Sequence, residues 1–230
     1  MICEVESIEV IDLMDSTLKN EIYHDERSKR VGATGGLINN QPIICGGFDG
    51  PCSNFYTVLG QFNNSRQMLE ERRYCSSVVL NQTDLWLTGG SSGGSTANKS
   101  TELISIDQPP RKGPELPFTI SSHSMVLVDP KTIFLIGGSQ SSQRSKKTWI
   151  IDPSKNFEVK SGPDLNEARV LHSCSKMKIG EKIYLIVAGG YGVDQCITLD
   201  SVEILDTTSL DQGWTLGNNL TLQKIKDNAS

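Results

Sequence analysis

One short signature occurs four times along this chain: an apolar run that ends in a pair of glycines. The copies are Ile43-Ile44-Cys45-Gly46-Gly47, Trp86-Leu87-Thr88-Gly89-Gly90, Phe134-Leu135-Ile136-Gly137-Gly138 and Leu185-Ile186-Val187-Ala188-Gly189-Gly190. Successive pairs lie 43, 48 and 52 residues apart. Self-similarity at such a period marks a repeat architecture, in which each unit is one supersecondary element. A run such as Lys182–Ala188 is β-branched and aromatic and too short for a helix, so it predicts a strand buried on both faces. The glycines allow positive φ and a close approach to neighbouring backbone that a side chain would forbid.

Two further markers stay in register with the first. After each pair comes an alternating strand, ending in Asp at Thr101–Asp107, Thr148–Asp152 and Ser201–Asp206; in the first full unit, Asn54–Gly60 ends in Gly instead. An Asp there closes the strand into a turn by accepting from its own downstream backbone. Before the pair comes a first strand, opened by Arg in Glu71-Arg72-Arg73 and Glu167-Ala168-Arg169, whereas Ser121–Val128 keeps the strand without the Arg. Each unit thus predicts about four strands, and no useful helical periodicity appears. A lone four-stranded sheet cannot bury both faces, so the units are expected to pack radially as an all-β propeller.

Taken together, the apolar strand, Gly-Gly, the Asp-ending strand and the Arg opening the next unit resemble the kelch repeat over essentially the whole chain. The repeat glycines of that resemblance are Gly46, Gly47, Gly89, Gly90, Gly137, Gly138, Gly189 and Gly190. The copies are degenerate, since the late Trp of the family's repeat is well placed only at Trp214. The register predicts a partial blade over 1–27, blades over 28–66, 67–116, 117–164 and 165–216, and the start of another over 217–230. Because the family's rings commonly hold six or seven blades, four full blades plus a partial one predict a fragment of a longer ring. The resemblance implies a protein-binding scaffold without catalysis, since kelch propellers serve many unrelated ends. It also admits a substrate-receptor part of a ubiquitin-ligase adaptor and, more remotely, an enzyme of galactose-oxidase or sialidase type.

A net charge of −5 and the short basic cluster Arg144, Lys146 and Lys147 argue against nucleic acid, which needs clustered cations to neutralise phosphate. No apolar run approaches the ~20 residues that span a bilayer, and the start at Met1-Ile2-Cys3-Glu4 has no signal-peptide pattern. His24, His123 and His172 are scattered and no CxxC occurs, so no metal or cofactor site is predicted. His123 and His172 fall at equivalent repeat positions, as do Cys75 and Cys174, which predicts structural roles for all four. Ser209-Leu210-Asp211-Gln212-Gly213-Trp214 approaches a sialidase Asp box but puts its Trp one position early, and reads as a turn. Cys45 and Cys52 flank a strand connection short enough for a disulfide. N-glycosylation sequons begin at Asn63, Asn81, Asn98, Asn219 and Asn228. Those two features favour an extracellular parent protein over a cytoplasmic one. Binding of an unidentified protein partner is expected at the loops 48–54, 91–100, 139–147 and 191–198, where variable segments sit on a rigid scaffold.

Overall fold

In every repeat the glycine-ended run becomes the second strand of a four-stranded antiparallel sheet. The computed structural model describes residues 7–11, 20–24, 31–48, 55–58, 66–92, 96–193 and 197–217. It divides into two compact units, Met1–Ser121 and Ser122–Ser230. The first unit holds a hairpin of β1 (Ser7–Ile11) and β2 (Asn20–His24), then two sheets. The first sheet is β3 (Thr34–Ile38), β4 (Gln41–Cys45), β5 (Phe55–Val58) and β6 (Arg66–Gln67). The second is β7 (Ser76–Leu80), β8 (Asp84–Thr88), β9 (Thr101–Ser105) and β10 (Arg111–Lys112).

The second unit repeats the pattern. Its first sheet, the third of the chain, is β11 (Ser124–Asp129), β12 (Thr132–Ile136), β15 (Thr148–Asp152) and β16 (Glu158–Ser161). Between its second and third strands a small hairpin, β13 (Ser139–Gln140) and β14 (Gln143–Arg144), replaces part of the loop predicted there. Ser141 and Ser142, both at positive φ, make the tight turn that lets this pairing form. The fourth sheet is β17 (Ser173–Ile179), β18 (Lys182–Ala188), β19 (Val202–Asp206) and β20 (Thr215–Leu216). Strands follow chain order within each sheet, and no sheet closes on itself. The chain is therefore all-β, built of successive antiparallel meanders.

Within each unit one sheet lays an apolar face on the next. In the first unit Ile38, Ile43 and Cys45 pack with Leu85, Leu87 and Ile104. In the second, Val126, Val128, Phe134 and Ile136 pack with Leu185, Val187 and Leu205. Sheet alternation explains the choice, because residues two apart share a face. β8 and β12 are buried on both faces, from Leu85 to Thr88 and from Ile133 to Ile136. β18 differs from the prediction: it buries Leu185 and Val187 fully but leaves Tyr184 and Ile186 only half-buried, so one face alone is covered.

The glycine pairs carry out the predicted task. All eight glycines have positive φ, from 58° at Gly89 to 98° at Gly47. The second glycine of a pair also ties its repeat to the following one, donating its N–H to a carbonyl there. Gly47 donates to Arg72 O at 2.7 Å, Gly90 to Ile120 O at 2.8 Å and Gly138 to Arg169 O at 2.9 Å. A Cβ on Gly46 would lie 2.3 Å from Arg72 O, and one on Gly190 would lie 2.5 Å from Val170 O. Two of the three Asp-ended strands turn as expected: Asp152 Oδ1 accepts from Ser154 N at 3.0 Å and Asp206 Oδ1 from Thr208 N at 2.9 Å, whereas β9 ends at Ser105, two residues before Asp107.

Equivalent positions are fixed by the residues that enter each first strand at φ 55°, namely Tyr74, Ser122 and Leu171. On that register His123 and His172 do match. Cys75 and Cys174 do not: Cys75 aligns with His172, and Cys174, paired with Val187 as Ser77 is with Leu87, stands two residues further on. Both still serve the core, Cys75 in the first cluster and Cys174 against the second. Trp214 is buried and donates Nε1–H to Pro163 O at 3.0 Å. Just before it, Leu210–Gln212 forms the single helical turn that leads into β20.

Two glycine substitutions separate conformation from crowding. Gly180, in the β17–β18 turn at φ 61°, has nothing within 4 Å of an added Cβ. Gly180→Ala is expected to cost only the left-handed penalty of about 1–2 kcal/mol. Gly46→Ala adds a backbone clash with Arg72 O and is expected to cost at least twice that in urea unfolding, with equal costs counting against this account.

Candidate functional site

Three of the loops that follow a glycine pair are closed at the base by the pair itself. Gly90 O accepts from Asn98 N, Gly138 O from Ser145 N and Gly190 O from Leu199 N, all at 2.8 Å. Beside each loop runs the segment that enters the same sheet's first strand. Isolated bridges join Val31 to Phe48, Arg73 to Ser91, and Val170 to Tyr191. The rims of the first, second and fourth sheets therefore combine a loop and an entry segment, which sequence spacing alone did not bring together.

In the first unit this rim carries a cation–aromatic cluster. The Arg73 guanidinium lies 5.0 Å from the centre of the Phe48 ring and 5.7 Å from that of Tyr74, within the range of a cation–π attraction. In the second unit the rim is apolar. Leu171, Tyr191, Val193 and Ile197 are all exposed, Val193 to 75%. The Gly192 N–H to Ile197 O bond folds the loop back on itself, and Arg144 donates to Gly192 O from the neighbouring hairpin. The predicted loops were polar in character; this one is not.

Beneath each of these rims lies a buried ion pair that the sequence reading missed. Arg72 and Glu102 are 0% and 1% exposed. Arg72 donates Nε–H to Glu102 Oε1 at 2.9 Å and Nη1–H to the carbonyls of Gly89 at 2.8 Å and Ser100 at 2.9 Å. Glu102 also accepts from the backbone of Leu69 and Glu70. The fourth sheet has the same device: Arg169 donates to Glu203 Oε1 at 2.8 Å and to Gly189 O at 2.9 Å. Glu203 in turn accepts from the N–H groups of Asn166 and Glu167. The third sheet lacks both partners together, with Ile120 and Trp149 at the matching positions. The signal was present in the sequence of repeats two and four, which carry the Arg and the Glu together, and of repeat three, which carries neither; repeat one blurs it, with Arg30 at the first position and Thr57 at the second.

The other predicted positions are distributed as follows. Cys45 is buried at the end of β4, while Cys52 lies outside the described residues; no disulfide occurs among the residues described. Asn81 is exposed in the β7–β8 turn. Asn98 is half-buried, and its backbone bonds both Gly90 and Ile120. Asn63, Asn219 and Asn228 lie outside the described residues, as do 49–54, 93–95 and 194–196 of the predicted loops. Burial pushes the Cys75 and Cys174 thiols up to about 12, so neither is a thiolate nucleophile at neutral pH. Among the described residues no group of His, Cys, Asp and Glu is arranged to hold a metal, and no helix is long and apolar enough to cross a membrane.

His123 and His172 are buried near each other where the third and fourth sheets meet. His172 O accepts from Ser124 Oγ at 2.7 Å, and a Cβ on Gly137 would stand 2.7 Å from His172 Cε1. Burial, then the neighbouring His172, holds His123 down at about 3; burial, then Arg169, holds His172 at about 4. Folded-state values below the ordinary 6.5 mean that the unfolded chain takes up protons first. Their contribution is intact above pH 6.5 and is lost as pH falls towards 4. Asp206, held down at about 2 by Lys182 and Thr208, loses its own contribution only below 3.8. Urea midpoints are thus expected to fall between pH 6.5 and 4, and His172→Cys, the residue that repeat two carries as Cys75, should flatten that fall. An unchanged slope would remove His172 from the account.

The ion pairs give a second expectation. Removing one member, as in Glu203→Ala, strands a buried Arg and is expected to cost about 3–5 kcal/mol. The pair Arg169→Ile with Glu203→Trp copies the third repeat and should recover part of that loss, with a coupling of about 1–3 kcal/mol in a double-mutant cycle. Additive costs would mean that the two residues act separately.

No protein-family model matches this sequence, and no curated protein matches it either.

Proposed function

We propose that the four sheets are blades of a kelch-type β-propeller and that the chain is a protein-binding module acting through the loops that follow its glycine pairs. Support for the blade reading comes from four antiparallel meanders that place a glycine pair at the same strand end and, within each unit, pack the same face of one sheet onto the next. The observation that carries the binding reading is the exposed apolar rim of Leu171, Tyr191, Val193 and Ile197. Contiguous exposed apolar side chains cost solubility and mark interaction surfaces rather than ordinary loops. This rim is presented on a rigid base, because Gly189 O and Gly190 O, at the root of the loop, bond Arg169 and Leu199. A fixed base lowers the entropy lost when a loop binds. The partner chemistry that suits it is a protein surface with an apolar or aromatic anchor, since such anchors dominate binding energy when buried.

Site-specific photo-crosslinking tests the reading. A photoreactive residue at Val193 is expected to trap a discrete protein partner, and the same residue at Lys155, in an exposed helical turn, should not. Val193→Asp should abolish capture of that partner while leaving the melting temperature unchanged. Equal capture from both positions, or none from Val193, would count against the rim as the binding surface.

A further inference from the structure

The first and the fourth sheet each present one exposed, largely apolar face. Within each unit, a donating face of one sheet packs on a receiving face of the next. The donating face of the first sheet holds Gly36, Ile38, Ile43 and Cys45; the receiving face of the second holds Ser77, Val79, Leu85 and Leu87. In the second unit Val126, Val128, Phe134 and Ile136 donate, and Cys174, Leu185, Val187 and Leu205 receive. The same face meets the same face twice, and polar atoms repeat the contact. Ser77 Oγ donates to Gly35 O across the first interface, and Lys176 Nζ donates to Leu127 O and Val128 O across the second.

By the same register the donating face of the fourth sheet is Ser175, Met177, Tyr184, Ile186 and Ile204. Met177 is exposed, as is Ile179 beyond it, and Tyr184, Ile186 and Ile204 are only half-buried. The receiving face of the first sheet is Gly35, Leu37, Pro42 and Ile44, paired across β3 and β4 as Gly35 with Ile44 and Leu37 with Pro42. There Leu37 is 53% exposed, while Ile38, next to it on the opposite face, is fully buried. Both open faces are largely apolar, and the Lys182–Asp206 ion pair at 2.7 Å marks one edge of the donating face, beside Tyr184.

We propose that the open donating face of the fourth sheet docks on the open receiving face of the first sheet in a second copy of this chain. The contact would continue the interface already made twice within the molecule. Because the two faces differ, it is heterologous, so each copy donates at one face and receives at the other. It is independent of what the rim loops bind.

Sedimentation of the full chain across the micromolar range tests the proposal. The weight-average mass is expected to rise with concentration from that of the 25.2 kDa chain to at least twice that value. Met177→Lys removes the donating face and Leu37→Lys the receiving face, and both sites are exposed, so each variant should melt as the parent does. Ile179→Lys serves in place of Met177→Lys if that variant fails to fold. Each single variant alone should stay at the mass of one chain. An equimolar mixture of the two restores one intact interface and should form a species of two chains and no larger. A parent that remains a single chain at every concentration overturns the proposal. So does assembly that survives either variant, and so does a mixture in which no two-chain species forms.

Discussion

A single backbone carbonyl per repeat holds this architecture together. The carbonyls of Arg72, Ile120 and Arg169 each accept the N–H of the second glycine of the preceding pair. That bond fixes how closely one repeat approaches the next, and only a glycine leaves room for it: at Gly46 an added methyl would sit almost on the Arg72 oxygen. In two of the three cases the same residue also reaches back with its side chain. Arg72 bonds the carbonyls of Gly89 and Ser100 in its own sheet, and Arg169 those of Gly189 and Ser201. One residue thus joins the preceding repeat through its main chain and fastens its own loop through its guanidinium.

Burying that guanidinium requires a counter-charge, because an unpaired cation in a low-dielectric interior is costly. Glu102 and Glu203 supply it, and each spends its remaining acceptor capacity on two backbone N–H groups of the segment that precedes the Arg. Around Arg72 every guanidinium nitrogen has a partner, so that pair is a satisfied network, the condition under which buried charge is tolerated. Around Arg169 the network is the same except that Nε is left without a partner. The third repeat reaches the same backbone geometry with Ile120 and Trp149. Its existence within one chain shows that the carbonyl-to-glycine bond is the constant element and the ion pair an optional reinforcement.

Much of this was legible in the sequence, and the exceptions have physical reasons. Glycine pairs and Asp-ended strands depend on backbone conformation, which residue type reports directly, and they appear where expected. The strand count per repeat follows from alternation and was recovered as well. Burial was harder to read: Lys182–Ala188 looks like a fully buried strand, yet only one of its faces is covered, because coverage depends on a neighbouring sheet and not on the strand itself. The same limit hid the Arg–Glu pairs, whose members are 30 and 34 residues apart and become neighbours only through sheet pairing. Matching Cys75 with Cys174 failed because first strands differ in length, and the left-handed residue at Tyr74, Ser122 or Leu171 is the true reference point. The rim loop 191–198 was expected from its place in the repeat, whereas the exposure of Tyr191, Val193 and Ile197 on it follows only from the fold.

The burial of the second strands has a consequence for how the molecule comes apart. In repeat arrays stability is close to a sum of nearest-neighbour interfaces. A strand buried on both faces, such as β8 or β12, meets water only after more of its surroundings has come away than β18, which is covered on one face alone. Amide exchange should accordingly be graded rather than uniform, slowest at Leu85–Leu87 and Ile133–Leu135 and faster along β18. Opening then reaches β18 before β8 and β12, and the glycine pairs that end those two strands meet water later than the pair that ends β18.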